Sequence, residues 1–211
     1  MRLAGQYETT TGVRIDADFA PTVGLLPRLR GGEKADIVVL TREGLDELAA
    51  EGIVVAPSTV DLARSWVGIA VKAGTPHPDI ASEAAFRATL LAARSVAYSK
   101  IGASGIYFAD LISRLDIAAE INAKATVTSG FTAERLISGE ADLAVQQISE
   151  LKQVDGAEVV GPIPLALQTP AVFSAGMMAS AESPAAADDL LRFLTSPEVA
   201  PVLVETGLER P

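Results

Sequence analysis

Ala97-Tyr98-Ser99-Lys100-Ile101-Gly102-Ala103-Ser104-Gly105-Ile106-Tyr107-Phe108 is the stretch on which the fold turns. Behind it, Phe108, Leu111, Ile112 and Leu115 keep the i, i+3, i+4, i+7 spacing of one buried helical face. The stretch therefore reads as strand, loop of small residues, helix. The spacing makes Ser104 the cap of that helix. Gly102, Ala103 and Gly105 let a ligand approach backbone N–H groups at its positive end. Such a loop suits a small anion or polar group and brings no catalytic side chain; it equally suits an ordinary capped turn.

At 211 residues the chain has room for one full core or two smaller ones. Hydrophobic residues make up 49% and charged residues 21%, the balance of a folded chain rather than a disordered or fibrous one. The formal net charge of −10 argues against a nucleic-acid partner, because polyphosphates call for a basic face. A small anion stays possible, since oriented backbone dipoles bind one locally whatever the overall charge. The chain has no cysteine, which excludes thiol nucleophiles, thiolate zinc sites and disulfides. The single histidine, His77, sits among Gly74, Thr75, Pro76 and Pro78 and reads as an exposed loop residue, so neither a metal site nor Ser-His-Asp chemistry is expected. No apolar run is long enough to span a bilayer, and Met1-Arg2-Leu3-Ala4-Gly5 lacks the apolar core of an export signal.

Working outward, residues 1–10 read as a helix closed near Gly12, and residues 13–19 alternate apolar and polar like a half-buried strand. Helices are expected over residues 25–30, 42–50 (capped by Thr41), 83–93 (capped by Ser82), 105–115 and 131–137. Strands are expected over 36–40, 66–71, 95–98, 124–128, 142–146, 158–161 and 171–179. Ser183-Pro184 and Ser196-Pro197 each open a terminal helix, with Pro in the first helical position. Strands alternating with helices imply an α/β fold with largely parallel sheets.

Two stretches share a plan. Residues 13–40 and 124–147 each read strand, polar loop, short helix, Gly-Glu turn, apolar strand, with Gly32-Glu33-Lys34-Ala35-Asp36 matching Gly139-Glu140-Ala141-Asp142. Two equivalent βαβ units predict two similar lobes. Ligands of open parallel sheets sit beyond the strands' carboxyl ends, so a shared cleft is expected near Thr22, Ser99 to Gly105, Ser129-Gly130 and Gln146-Gln147.

Gly31-Gly32-Glu33-Lys34-Ala35-Asp36-Ile37-Val38-Val39-Leu40-Thr41, Asp61-Leu62-Ala63-Arg64-Ser65, Ala97-Tyr98-Ser99 with Ala103-Ser104-Gly105, Gly139 to Gln147, and Phe173-Ser174-Ala175-Gly176 follow one another in that order. In this combination the chain resembles, over essentially its whole length, the periplasmic solute-binding proteins of molybdate-type ABC transporters. The resemblance implies a two-lobed α/β fold of the type II periplasmic-binding class with crossover strands. Lobe I would comprise residues 1–66 and 171–211, lobe II residues 67–170. It further implies a molybdate- or tungstate-like oxyanion held by hydroxyls and helix-end N–H groups, an ABC permease as partner, a periplasmic location, and no catalytic residue, metal or cofactor. The matching ligand positions are Thr22, Ala103, Ser104, Gly105, Gly130 and Gln147, with Ser99 joining them from the expected cleft. Arg64, near the first crossover, is of the type that grips a carboxylate bidentately or forms a hinge salt bridge.

Departures from the family carry consequences. The resemblance implies a strand ahead of the first helix, so the first strand is expected to be missing from lobe I, with truncation, a misassigned start or a second copy in a dimer as ways to account for it. The absent export signal makes cytoplasmic the alternative location. Gln147 stands where molybdate sites of the family often carry Tyr, which brings in a small organic carboxylate as the alternative ligand. On that alternative the scaffold is a carboxylate binder, or an isomerase or lyase with Tyr98, Lys100 and Glu150 as candidate bases.

Overall fold

Helix α1 (Arg2–Thr11) stops where Gly12 takes a φ of 74°, a left-handed turn that glycine adopts without strain. In the computed structural model, which describes residues 2–211, the chain divides into two units. One holds the residues up to Arg64 together with Ala171–Pro211, the other Ser65–Pro170. The first unit continues with α2 (Thr22–Arg30), β1 (Ile37–Thr41), α3 (Arg42–Ala50) and β2 (Val60–Ser65). The second contains β3 (Val67–Lys72), α4 (Glu83–Ala92), β4 (Val96–Ser99), α5 (Ala103–Arg114), α6 (Ala118–Asn122), β5 (Ala125–Thr128), α7 (Glu134–Ile137), β6 (Leu143–Gln147), α8 (Ile148–Leu151) and β7 (Ala157–Pro162). The chain then returns to the first unit as β8 (Ala171–Met177), α9 (Pro184–Thr195), α10 (Ala200–Glu205) and β9 (Leu208–Glu209).

The first unit's sheet runs in the order β1-β8-β2-β9, with β1 antiparallel to β8. Val38 and Leu40 of β1 pack with Leu29, Leu45 and Leu48 from α2 and α3 to form its core. Thr41 caps α3 as its type and place predict, accepting from the Gly44 N–H at 3.5 Å. The second unit's sheet runs β5-β4-β6-β3-β7; β4 lies parallel to β5 and β6, and β3 antiparallel to β6 and β7. Phe86, Leu90, Phe108, Leu111 and Ile112, on α4 and α5, are fully buried against Tyr98, Ile69 and Val145. The helical face read from the sequence is therefore the buried one.

Several expectations are corrected. Residues 13–19 alternate like a strand yet form none; Val13 and Phe19 are 41% and 75% exposed. Alternation marks a segment that could join a sheet, but among the described residues 13–19 pair with no strand, and β1, at the end of its sheet, pairs with β8 alone. The pseudo-repeat is consequently complete only in its second copy, β5-α7-β6. The second unit's sheet is mixed rather than largely parallel, because β3 runs against both β6 and β7, and in the first unit β1 and β8 are antiparallel. Residues 60–65, not among the expected strands, form strand β2, and Ser196-Pro197 opens a single 3₁₀ turn before α10.

Candidate functional site

In the second unit the parallel strands β5, β4 and β6 are adjacent and end on the same edge, and the chain beyond each end supplies a loop. Beyond β4, Ser99 is 4% exposed and its Oγ accepts the N–H groups of Ile101 and Gly102, each at 3.3 Å. That closes the turn leading into α5. Gly102, not Ser104, occupies the capping position, and no side chain caps the helix. The N–H groups of Gly105 and Ile106 both return to the Gly102 carbonyl at 3.0 Å, so Ala103 and Ser104 N–H are the first-turn donors left for a ligand.

The small residues prove to have different tasks. A Cβ on Gly105 would lie 1.5 Å from the Ser99 carbonyl oxygen, so Gly105 is there to let α5 press onto the end of β4. A Cβ on Gly102 would instead stand 3.7 Å from Ser99 Oγ and 4.0 Å from Ser104 Oγ, the two hydroxyls that flank this turn. Ser104 is only 3% exposed, and among the described residues its hydroxyl has no hydrogen-bond partner. Its oxygen is nonetheless not one of the sealed, unpartnered atoms, so a ligand can reach it. A near-buried hydroxyl without a partner at the head of a 12-residue helix is the feature of this loop that asks for a ligand.

The loop beyond β5 is more self-contained. Gly130 donates its N–H to Thr128 Oγ1 at 3.2 Å, and the Glu134 carboxylate stands close by, 3.9 Å from where a Gly130 Cβ would sit. That negative charge moves the centre of anion attraction from Gly130 toward α5. Beyond β6, Gln147 is 5% exposed and accepts the Ser65 hydroxyl on Oε1 at 2.8 Å, which leaves the donor end of its amide for a ligand. Its neighbour Gln146 accepts both the N–H and the hydroxyl of Thr132, at 2.8 and 3.0 Å, tying the two loops together. Glu150, partly buried in α8, accepts from the Gln147 N–H and the Gln146 amide, and burial pushes its carboxyl above the usual carboxylate range.

The remaining expected residues lie in the first unit. Thr22 begins α2, and its Oγ1 already accepts the Thr41 N–H at 3.1 Å. Arg64 is exposed on β2, and among the described residues no hydrogen bond or ion pair holds its guanidinium. Nearby Asp61 is held below the usual carboxylate range by the Ser174 hydroxyl at 2.6 Å and by Arg42 at 2.9 Å, with Arg64 adding a smaller pull. A groove of about 430 Å³ between α1 and α9 and a pocket of about 240 Å³ beside Asp61 also lie in this unit; neither is lined by an expected ligand residue. His77 is exposed, 3.3 Å from Glu158, and no group of three metal-ligating side chains exists among the described residues. Sequence reasoning missed Thr132 and Ser65, because their partners become neighbours only through strand order.

The site is thus built of neutral donors that can hold an anion. Residues 1–209 match the model of the bacterial extracellular solute-binding protein family. The aconitate isomerase of a Pseudomonas species is 38% identical over 214 residues, covering 98% of this chain and 81% of that protein. Among solved structures, the periplasmic molybdate-binding protein of Azotobacter vinelandii aligns with a TM-score of 0.82 at 17% identity, over 100% of this chain and 93% of that one. L-phospholactate-bound PEB3, a protein of Campylobacter jejuni, aligns with a TM-score of 0.71 at 18% identity, over 100% and 94%.

Proposed function

Because the chain belongs to the bacterial extracellular solute-binding protein family, we propose that it captures a small organic polycarboxylate of the aconitate kind at the strand ends of its second unit. The observation that carries this reading is the 38% identity to an aconitate isomerase along almost the whole chain. The solved neighbours, at 17% and 18% identity, support the fold and leave the ligand open. The chemistry of the loops is in keeping with an organic acid. Ser104 Oγ, the Ala103 and Ser104 N–H groups and the Gln147 amide give a carboxylate neutral donors at a helix head. Ile101 and Phe131, 48% and 39% exposed in the same loops, offer apolar contact to a carbon skeleton that molybdate lacks. In a transport role the partner is an ABC permease that accepts the captured acid.

Thermal unfolding with cis- and trans-aconitate, citrate, molybdate, tungstate and sulfate tests the assignment. Aconitate should raise the melting temperature progressively, by an amount corresponding to about 2.7 kcal/mol at a hundred times Kd, and the inorganic oxyanions should not. Emission from Trp66, the one tryptophan, gives a second readout, since its carbonyl accepts the Ile148 N–H directly beyond Gln147. Ser104→Ala should weaken aconitate binding about fivefold, roughly 1 kcal/mol for one lost hydrogen bond. Stabilisation by molybdate or tungstate alone would overturn the organic-acid assignment.

A further inference from the structure

We propose that Ser65 sets which kind of group this site accepts: by giving its one hydroxyl proton to Gln147 it holds the amide with its donor end toward the ligand, so that the loop beyond β6 selects an ionised carboxylate. The inference rests on the polycarboxylate reading above and adds to it a positioning residue outside the expected ligand set. A primary amide has two ends of nearly the same shape and opposite chemistry, an oxygen that accepts and a nitrogen that donates. An amide free to turn over can serve either kind of ligand group; one that is held serves only one.

The sheet holds the backbone around Gln147. Val67 of β3 pairs with Gln147 of β6, and the Trp66 carbonyl accepts the Ile148 N–H at 2.9 Å, so the chain is tied at and just beyond this residue. Two positions ahead of Val67 stands Ser65, 0% exposed, whose Oγ donates to Gln147 Oε1 at 2.8 Å. At the other end of the amide, Gln147 Nε2 has no hydrogen-bond partner among the described residues, on a residue only 5% exposed, yet it is not one of the atoms sealed from outside. A donor so deeply set and still reachable calls for an acceptor that arrives with the ligand. Turning the amide over is opposed twice. Among the described residues the Ser65 hydroxyl makes no other hydrogen bond, so its proton would be left buried without an acceptor, and Oε1 would meet a carboxylate acceptor to acceptor. Ser104 lacks this restriction, because a hydroxyl can rotate to donate or to accept. The preference for an ionised group therefore comes from Gln147, and Gln147 takes it from Ser65.

Calorimetric titration with trans-aconitate on wild type, Ser65→Ala, Gln147→Ala and the double variant separates orientation from general support. Ser65→Ala should weaken binding about fivefold, the worth of one hydrogen bond. In the Gln147→Ala background the same substitution should change affinity by less than about 1.5-fold, since no amide is left to orient. Gln147→Glu tests the kind of group directly. Its carboxylate accepts the Ser65 proton as Oε1 does but shows the ligand a negative charge, so it should bind aconitate at least about tenfold more weakly than Gln147→Ala. Ser65→Cys, a weaker donor on a stem of the same length, takes the place of an alanine variant that fails to fold, with a loss of about two- to threefold expected only where Gln147 is present. Equal losses with and without Gln147, no loss in Ser65→Ala, or a Gln147→Glu variant that binds as well as Gln147→Ala overturns this inference and leaves the binding assignment standing. No aconitate binding by wild type overturns both.

Discussion

Gly105 shows how a single residue can be read correctly as small and for the wrong reason. Its smallness suggests a donor N–H offered to a ligand, whereas that N–H is already bonded to the Gly102 carbonyl. What the position requires is the absence of a side chain, since a Cβ would sit 1.5 Å from a backbone oxygen that cannot swing aside. Gly105→Ala must therefore push α5 off β4. We expect a loss of about 3 kcal/mol or more in urea unfolding, with aconitate binding lost alongside because the Ser104 hydroxyl moves with the helix. Ser104 makes the complementary point: its type and place predict a cap, while the turn is closed by Ser99, five residues earlier, and Ser104 is left unpartnered.

At the level of elements, a side chain sometimes completes a strand. Val67 begins β3, and Gln168 matches both its backbone groups: Oε1 accepts the Val67 N–H at 3.1 Å, and Nε2 donates to the Val67 carbonyl at 3.0 Å and the Ile163 carbonyl at 2.6 Å. Gln168 is 9% exposed, so its truncation strands buried polar groups. Gln168→Ala should cost about 2–4 kcal/mol and remove hydrogen-exchange protection at the Val67 amide; protection unchanged from wild type would show that the ladder holds without it. Elements with local signals were legible in advance: the Thr41 and Ser82 caps, the helix end at Gly12, and the apolar face of α5. Residues 13–19 were misread because alternation records fitness for a sheet and says nothing of whether a neighbouring strand is present.

For the molecule as a whole, the carboxylates set the response to acid. Asp61, bonded to Ser174 and Arg42, is held below its ordinary range, as are Asp18, Glu33, Glu51 and Glu140 through their arginine or hydroxyl partners. A depressed folded value means stability that is present above about pH 4 and lost as pH falls through it. Glu150 has the opposite sign, its contribution fading as pH rises. The exposed pairs are screened and individually small, so the partly sheltered Asp61 should dominate. The melting temperature is expected to fall between about pH 5 and 3. Asp61→Asn should be less stable than wild type at pH 7 and show a flatter curve; an unchanged slope would assign the acid response elsewhere. By itself the sequence determined the α/β class, the small-residue loop and helix after β4 and the absence of thiol chemistry, because each follows from residue type or local spacing, while the family was legible only as a resemblance carried by several motifs in order along the chain. Only the tertiary structure decided which donors are free. Whether Ser104 or Gly130 has a hydrogen bond to give depends on Ser99 and Thr128, the Thr22 oxygen already accepts from Thr41, and Gln147 meets Ser65 across 82 residues of chain because β3 and β6 are neighbours in the sheet.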